Sequence, residues 1–432
     1  MSDRSALKQR LFREIDRRQD ELVQLLQVLL QFNTENPPGN SRPIAEHIAS
    51  YLSQAGVVSN LHAAPGDHYN LTADIETGRA GKRLLFCGHT DVVPAGDPSR
   101  WSFPPFVGDV SEGFVRGRGA SDMKGGLAAF LFAAALLKEF EDQLAGSIGL
   151  VVVDDEEAGG EYGARWLLAQ GAVHGDGCII AEPSGPSNPT IGQKGSCWFE
   201  VSFTGIPAHG SLAPLAGESA IVKAAAAVQQ LQKLHAMPVK PPQDIAEALA
   251  ASKAYLRLEG RAPVADILDH VSVNVGVVQG GTKTNVVPDH CSIQVDSRVP
   301  FGLTHEDVMA EARRLLDQLG YAYQIRPLGF WGPANYTRPD DPVVAALLQG
   351  IRDARGGSPY GVLQWASSDA RHFRAHGIPV LQYGPAELAT IHSWDERVRV
   401  TDLVAAAKTY SAAAVEYLLA QGHGSRRGRK GD

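Results

Sequence analysis

The chain has 432 residues, of which 44% are hydrophobic and 20% charged, with a net charge of −8. That length exceeds one ordinary core and predicts two domains, while the acidic balance gives no electrostatic support for a nucleic-acid partner. No window approaches the roughly 18 apolar residues of a membrane span, and residues 1–30 lack the apolar heart of a signal peptide.

Residues 5–31 carry Leu22, Leu25, Leu26, Leu29 and Leu30 at helical spacing and stop at the breaker NTENPPGN. A second helix is predicted over 43–55, followed by strands near 56–61 and 69–75. The apolar run 83–88 predicts a buried strand that leads into GHTDVVP. Met123–Leu144, rich in Ala and Leu and opening after Asp122, reads as a long buried helix. A strand at 147–153, a helix near 160–170 and a strand at 177–181 continue an α/β alternation.

At about 196 the pattern changes. CWFEVSFTG alternates apolar and polar residues, as a strand with one solvated face does. A helix over 219–233, two alternating strands (HVSVNVGVVQGG and NVVPDHCSIQVDSRV), the helix HEDVMAEARRLLDQLG and the strand YAYQIRPL complete a β-α-β-β-α-β order. This is the ferredoxin-like arrangement. The Pro- and Ala-rich stretch 239–267 has no assigned place in it. An α+β domain is therefore predicted at 196–328, inserted into an α/β domain made of 1–195 and 329–425. In the latter, helices at 341–354, near 369–376 and at 401–421 flank a strand at 378–383. The basic end, 426–432, reads as a solvated tail. Cys87, Cys178, Cys197 and Cys291 show no CxxC pairing and read as buried reduced thiols, which fits a cytoplasmic protein.

The chemistry gathers at strand ends. The runs LLFCGHTD, GLVVVDDEE, GCIIAEP and PVLQYGPAELATIH deliver His89, Asp91, Glu156, Glu157, Glu182 and His392 toward one rim of a mostly parallel sheet. His and carboxylates without Cys form a nitrogen/oxygen ligand set suited to zinc, cobalt or manganese. A carboxylate left free beside a metal can serve as general base. Each motif alone has a plainer explanation. HxD pairs usually hydrogen-bond within loops, and Asp122 is a favoured N-cap residue. Acidic runs are usually solvated, and a lone His is more often structural. Four successive acids in DDEEAGG nonetheless repel one another unless compensated, and the following glycines predict a tight, ordered turn.

Taken together, GHTDVVP, GRGASDMKGG, DDEEAGG, AEPS, IPAHGSLAP, GGTKTNVVP and TIHSWDERV resemble, in order, the motifs of the M20 metallopeptidases. These include deacetylases, desuccinylases, aminoacylases and carboxypeptidases of the acetylornithine deacetylase/succinyl-diaminopimelate desuccinylase type. The resemblance runs from about residue 20 to 421. It implies a zinc-dependent exopeptidase-like catalytic domain with an inserted dimerisation (lid) domain, and a homodimer. It also implies two divalent metal ions, most often Zn2+, with Asp122 bridging them. His89 and Glu182 would hold one ion, and Glu157 and His392 the other. Glu156 would be the general base and Asp91 the acid that orients His89. His209 would stabilise the oxyanion in the partner subunit's site, while Asn285 and Arg298 would contact the substrate. The implied reaction is hydrolysis of the amide of an N-acyl amino acid or related amine, or of a dipeptide if the enzyme is a dipeptidase or carboxypeptidase.

The chain departs from that pattern at QWASSDARHF, where the desuccinylases carry a Gly-Gly-Thr-Ser-Asp run, and at Trp394 beside His392. Trp365 and Trp394 either pack beneath the rim or narrow the acyl pocket. A binding protein that had lost catalysis would be expected to lack a ligand or the base, and all of these positions are filled.

Overall fold

The computed structural model describes residues 3–420 apart from Glu259; the basic run 426–432 lies outside the described residues. In chain order the first elements are α1 (Asp3–Arg17), α2 (Gln19–Gln31), α3 (Arg42–Gln54), β1 (Ser59–Ala64), β2 (His68–Glu76), β3 (Arg83–His89), β4 (Asp109–Ser111), β5 (Phe114–Arg116), α4 (Lys124–Lys138), β6 (Ser147–Val153), α5 (Ala164–Ala169) and β7 (Gly177–Ile180). Then come β8 (Thr190–Gln193), β9 (Gly195–Thr204), α6 (Ala220–Leu231), α7 (Ala246–Leu258), α8 (Ala262–Ala265), β10 (Ser272–Gly280), β11 (His290–Val299), α9 (His305–Asp317), β12 (Tyr323–Gly332) and β13 (Asn335–Tyr336). The chain closes with α10 (Pro342–Arg355), β14 (Val362–Gln364), α11 (Ala370–Ala375), β15 (Val380–Gln382), β16 (Arg397–Arg399) and α12 (Val400–Leu418). Two compact units result. One runs to Pro189 and resumes over Asp340–Tyr360 and from Ala375, and the other is Thr190–Pro339 with Gly361–Arg374.

In the first unit the strand order is β1-β2-β6-β3-β7-β15. β6, β3, β7 and β15 are mutually parallel, with β2 and β1 added antiparallel on one side. A parallel strand covered on both faces has no solvated side, so β6 is buried at every residue and reads as an unbroken apolar run. α4 is buried from Lys124 through Leu137, which explains why its sequence is apolar all round. It lies against β3, α2 and α12. Glycine permits the close approach. A Cβ on Gly126 would stand 2.1 Å from the Ala181 carbonyl oxygen, and one on Gly88 would meet Met123 and Phe130 at 2.9 Å.

In the second unit the sheet order β10-β11-β9-β12, antiparallel throughout, with α6 and α9 packed on β9, gives the split β-α-β-β-α-β topology. Its core includes Phe199, Val201, Phe203, Ile293, Val295 and Leu316. A smaller group, β8 with β13 antiparallel and β14 parallel, belongs to the same unit.

Several elements differ from the sequence reading. The first helix is two, interrupted at Arg18, whose φ of −108° and ψ of 20° leave the helical region. The unplaced stretch 239–267 forms α7 and α8. It is tied into the second unit by the Ser252 hydroxyl, which accepts from the Leu363 N–H at 2.8 Å, and by Lys194, whose Nζ donates to the Ile267 and His270 carbonyls at 2.7 Å each. The antiparallel trio β16-β5-β4 was not anticipated, because three-residue strands leave no periodicity. Asp122 does not cap α4: the N-cap position is Met123, and no side chain caps it.

Candidate metal centre

β3 ends at His89, β6 gives way to Asp154–Glu157, and Glu182 follows β7, so the parallel strands present these groups from their carboxyl ends. Asp122 enters from the loop before α4, and His392 from the segment between β15 and β16. The tight turn expected after DDEE is present, with Gly159 and Gly160 at φ of 119° and 72°. Asp155 and His392 also take positive φ, 73° and 55°, a conformation non-glycine residues hold only where their surroundings fix it.

These side chains form two groups that share one residue, His89–Asp122–Glu182 and Asp122–Glu157–His392. His89 Nε2 lies 3.4 Å from Asp122 Oδ1 and 3.8 Å from Glu182 Oε1. His392 Nε2 lies 3.3 Å from both Asp122 Oδ2 and Glu157 Oε1. Two donors bonded to one cation at about 2.0–2.2 Å and spread tetrahedrally stand about 3.3–3.6 Å apart. Three of the four observed spacings match that edge, the 3.8 Å between His89 and Glu182 lies just beyond it, and the two oxygens of Asp122 are divided between the groups. His89 Nε2 is also buried without a hydrogen bond, as a ligand atom would be. The donor set therefore fits two divalent cations.

Hydrogen bonds donated to the Asp122 and Glu157 carboxylates lift His392 to about 10. Burial opposes the charged form of His89, yet Asp122, Asp91 and Glu182 hold it well above the usual imidazole range. Burial pushes Glu157 up. It also opposes ionisation of Asp122, but the two imidazoles outweigh it and hold that carboxyl well below its ordinary value.

Asp91 is fully buried, and its role is wider than the sequence suggested. His89 Nδ1 is 2.9 Å from the Asp91 carbonyl oxygen and 3.4 Å from its carboxylate. That carboxylate also accepts the backbone N–H groups of Glu156 and Glu157, at 3.2 and 3.1 Å, and the Asn36 amide at 3.0 Å. One acid thus fixes both the His89 loop and the turn that carries Glu156 and Glu157. Glu156 itself is half-buried. Asn36, whose amide also donates to Asp155 at 3.2 Å, lies inside the breaker NTENPPGN, where the sequence alone gives it no role at the site.

His209, Asn285 and Arg298 belong to the second unit. His209 is exposed, its Nδ1 2.8 Å from the Ser211 hydroxyl. Its loop is pinned to that of Asn285, since the Gly210 N–H donates to the Asn285 carbonyl at 2.8 Å and the Val287 N–H to that of Ala208 at 2.9 Å. Arg298 forms a forked ion pair with Asp296 at 2.8 and 3.1 Å, and Asp296 also accepts from the Trp198 indole. Trp365 is half-buried, and Trp394 is 38% exposed with the Arg100 guanidinium stacked 3.6 Å from its ring centroid. Neither is wholly covered. Glu396, buried four residues beyond His392, escaped the sequence reading although it stands in the quoted TIHSWDERV motif.

The family model for peptidase family M20/M25/M40 matches residues 85–416. A succinyl-diaminopimelate desuccinylase of Methylorubrum extorquens (strain PA1) is 33% identical over 375 residues, covering 82% of this chain and 89% of its own. An N-formyl-4-amino-5-aminomethyl-2-methylpyrimidine deformylase of Bacillus subtilis (strain 168) is 27% identical over 414 residues, covering 91% and 94%. In fold, the chain is similar to an M20 family metallo-carboxypeptidase of Sulfolobus solfataricus, with a TM-score of 0.77, 20% identity and coverage of 92% and 99%. The family match spans most of the chain and its relatives hydrolyse amide bonds: this protein belongs to peptidase family M20/M25/M40 and is an amide-bond hydrolase.

Proposed function

We propose that the protein removes an acyl group from an N-acyl amino acid or related N-acyl amine, as a homodimer in the cytoplasm, with two zinc ions, cobalt or manganese substituting. The observation that carries this reading is the division of the two Asp122 oxygens between two ligand groups. His89, Asp122 and Glu182 would hold one ion, and Asp122, Glu157 and His392 the other. Bound there, two cations polarise a carbonyl and acidify water near neutral pH.

The protein's own groups supply the rest. Glu156, on the turn beside Glu157, takes the proton of the attacking water and returns it to the leaving amine. His209, contributed by the partner subunit, donates to the developing oxyanion. Asn285 orients the substrate, and Arg298 clamps its carboxylate through a planar fork. Asp296 holds that guanidinium ready in the same forked geometry. The four cysteines are buried free thiols, which suits a reducing compartment.

The test is a hydrolysis screen of N-acetyl, N-succinyl, N-formyl and longer N-acyl amino acids together with dipeptides, each with zinc, cobalt and manganese. Turnover of one acyl class, abolished by chelation, is expected. Hydrolysis confined to dipeptides would move the enzyme to the dipeptidase or carboxypeptidase branch, and no turnover with any metal would remove the proposal.

A further inference from the structure

We infer that Glu396 is a positioning residue that couples the two ligand-bearing segments of the metal centre, an inference that rests on the metal assignment just proposed. Glu396 is 1% exposed, and its carboxylate is filled by four donors. Oε2 accepts from Arg118 Nη1 at 2.7 Å and from the Gly119 N–H at 3.0 Å, while Oε1 accepts from the Ser121 and Asp122 N–H groups, both at 2.9 Å. A carboxylate has about four lone-pair sites, so this one is saturated. Its carbonyl oxygen accepts the Gly117 N–H at 2.9 Å as well. The Ser121 hydroxyl donates to the Arg397 carbonyl at 2.7 Å and accepts from the Glu387 N–H at 2.9 Å. Loop 117–122 is thereby strung onto segment 387–397. The first presents Asp122, the second His392, and neither ligand lies in a helix or strand that would fix it otherwise.

The choice of residue is informative. A carboxylate buried within electrostatic reach of Asp122 is repelled by it. An amide would avoid that repulsion, but its NH2 would face N–H donors and could accept from none of them. Only the carboxylate gathers three backbone N–H groups and a guanidinium into one anion-binding nest. Its negative charge is balanced by Arg118, which is also buried. The geometry serves the metal pair: beyond the β5–β16 ladder, the Glu396 carboxylate and the Ser121 hydroxyl tie the two loops and so keep the Asp122 carboxylate and the His392 imidazole at their separation.

The experiment is a zinc titration of metal-free full-length protein by calorimetry, on the wild type, Glu396→Gln, Ser121→Ala and Asp402→Asn. Asp402, paired with Arg355 at 2.9 Å, controls for loss of a partly buried ion pair elsewhere in the same unit. Glu396→Gln is expected to weaken the lower-affinity zinc about 10–100-fold, the usual effect of losing an outer hydrogen-bond partner of a ligand. Ser121→Ala, a milder cut of the same tie, should shift that affinity in the same direction by a smaller factor. Asp402→Asn should lower the melting temperature and leave both affinities alone. If Glu396→Gln and Ser121→Ala bind two zinc ions as tightly as the wild type, the positioning role is overturned. Should Glu396→Gln not fold, unchanged affinity in Ser121→Ala alone overturns it. A wild type that takes up no zinc would instead strike at the metal assignment itself.

Discussion

Asp91 and Glu156 show how much of a site depends on hydrogen bonds rather than on the residues that meet the substrate. The Asp91 carboxylate fixes the backbone under Glu156, so a change confined to the Glu156 side chain should leave the turn and the metal ligands in place. Glu156→Gln is expected to lower kcat by about 10^2–10^4-fold, the range of general acid–base catalysis, with metal content unchanged by elemental analysis. Retained turnover would remove Glu156 as the base. A second residue-scale prediction concerns Lys194, which burial and the nearby Arg298 hold down at about 7, although its ammonium donates to two carbonyls. Below about 7 the lysine is protonated in both folded and unfolded chains. Between about 7 and the ordinary lysine value near 10.5 the unfolded chain binds a proton that the folded one does not. Stability must therefore rise with pH across that window, by up to about 1.4 kcal/mol per pH unit from this group. Urea unfolding of wild type and Lys194→Met at pH 6 to 10 should give a stability difference that grows with pH in the wild type's favour. A pH-independent difference would mean that Lys194 titrates normally.

At the scale of elements, the position of α4 is set by what it lacks. Gly126 faces the Ala181 carbonyl, one residue before the candidate ligand Glu182, and a methyl there has nowhere to go. Gly126→Ala should cost about 1–3 kcal/mol of stability by overpacking. It should also weaken zinc binding, because α4 and the β7 end are pushed apart where Glu182 and Asp122 are presented. Full stability with intact zinc affinity would show that α4 can retreat freely. The apolar runs of β3, β6 and β7 were legible in the sequence because strands buried on both faces must be apolar throughout. So was the alternation of β9, buried at every second residue from Phe199 on. Other features left no such trace. The break at Arg18 has no Gly or Pro to announce it, and α7 and α8 lie in a Pro-interrupted stretch whose order comes from tertiary ties at Ser252 and Lys194. The two candidate ligand groups could be read because their chemistry is rare at strand ends. Asn36 and Glu396 could not, because a buried amide that donates to carboxylates, or a buried carboxylate that gathers backbone N–H groups, looks in sequence like any loop residue.

On the scale of the whole molecule, the proposal that His209 serves the partner subunit has a direct consequence for mixed assemblies. His209→Ala and Glu156→Gln homodimers should each be inactive. A heterodimer of the two carries one site with both an intact Glu156 and an intact His209. Mixing under exchange conditions should therefore recover up to about a quarter of wild-type activity, because half of the dimers formed are mixed and each has one complete site. Heterodimers demonstrated by differential tagging but without activity would refute sharing of His209.

The chain's path between its two units bears on how the enzyme comes into being during synthesis. The first unit is not finished by the residues that begin it: α10, β15 and α12 close its core, with α12 lying against α1, α4 and α10. His392 and Glu396 arrive with that same late stretch. A ribosome adds about 5–20 residues per second, so the early strands wait tens of seconds for their last neighbours. His89, Asp122 and Glu182, the whole of one candidate group, therefore emerge long before His392, without which the other group is incomplete. The two candidate groups thus mature at different times: one is encoded within the first half of the chain, and the other waits for the closing stretch that also completes the core of the first unit.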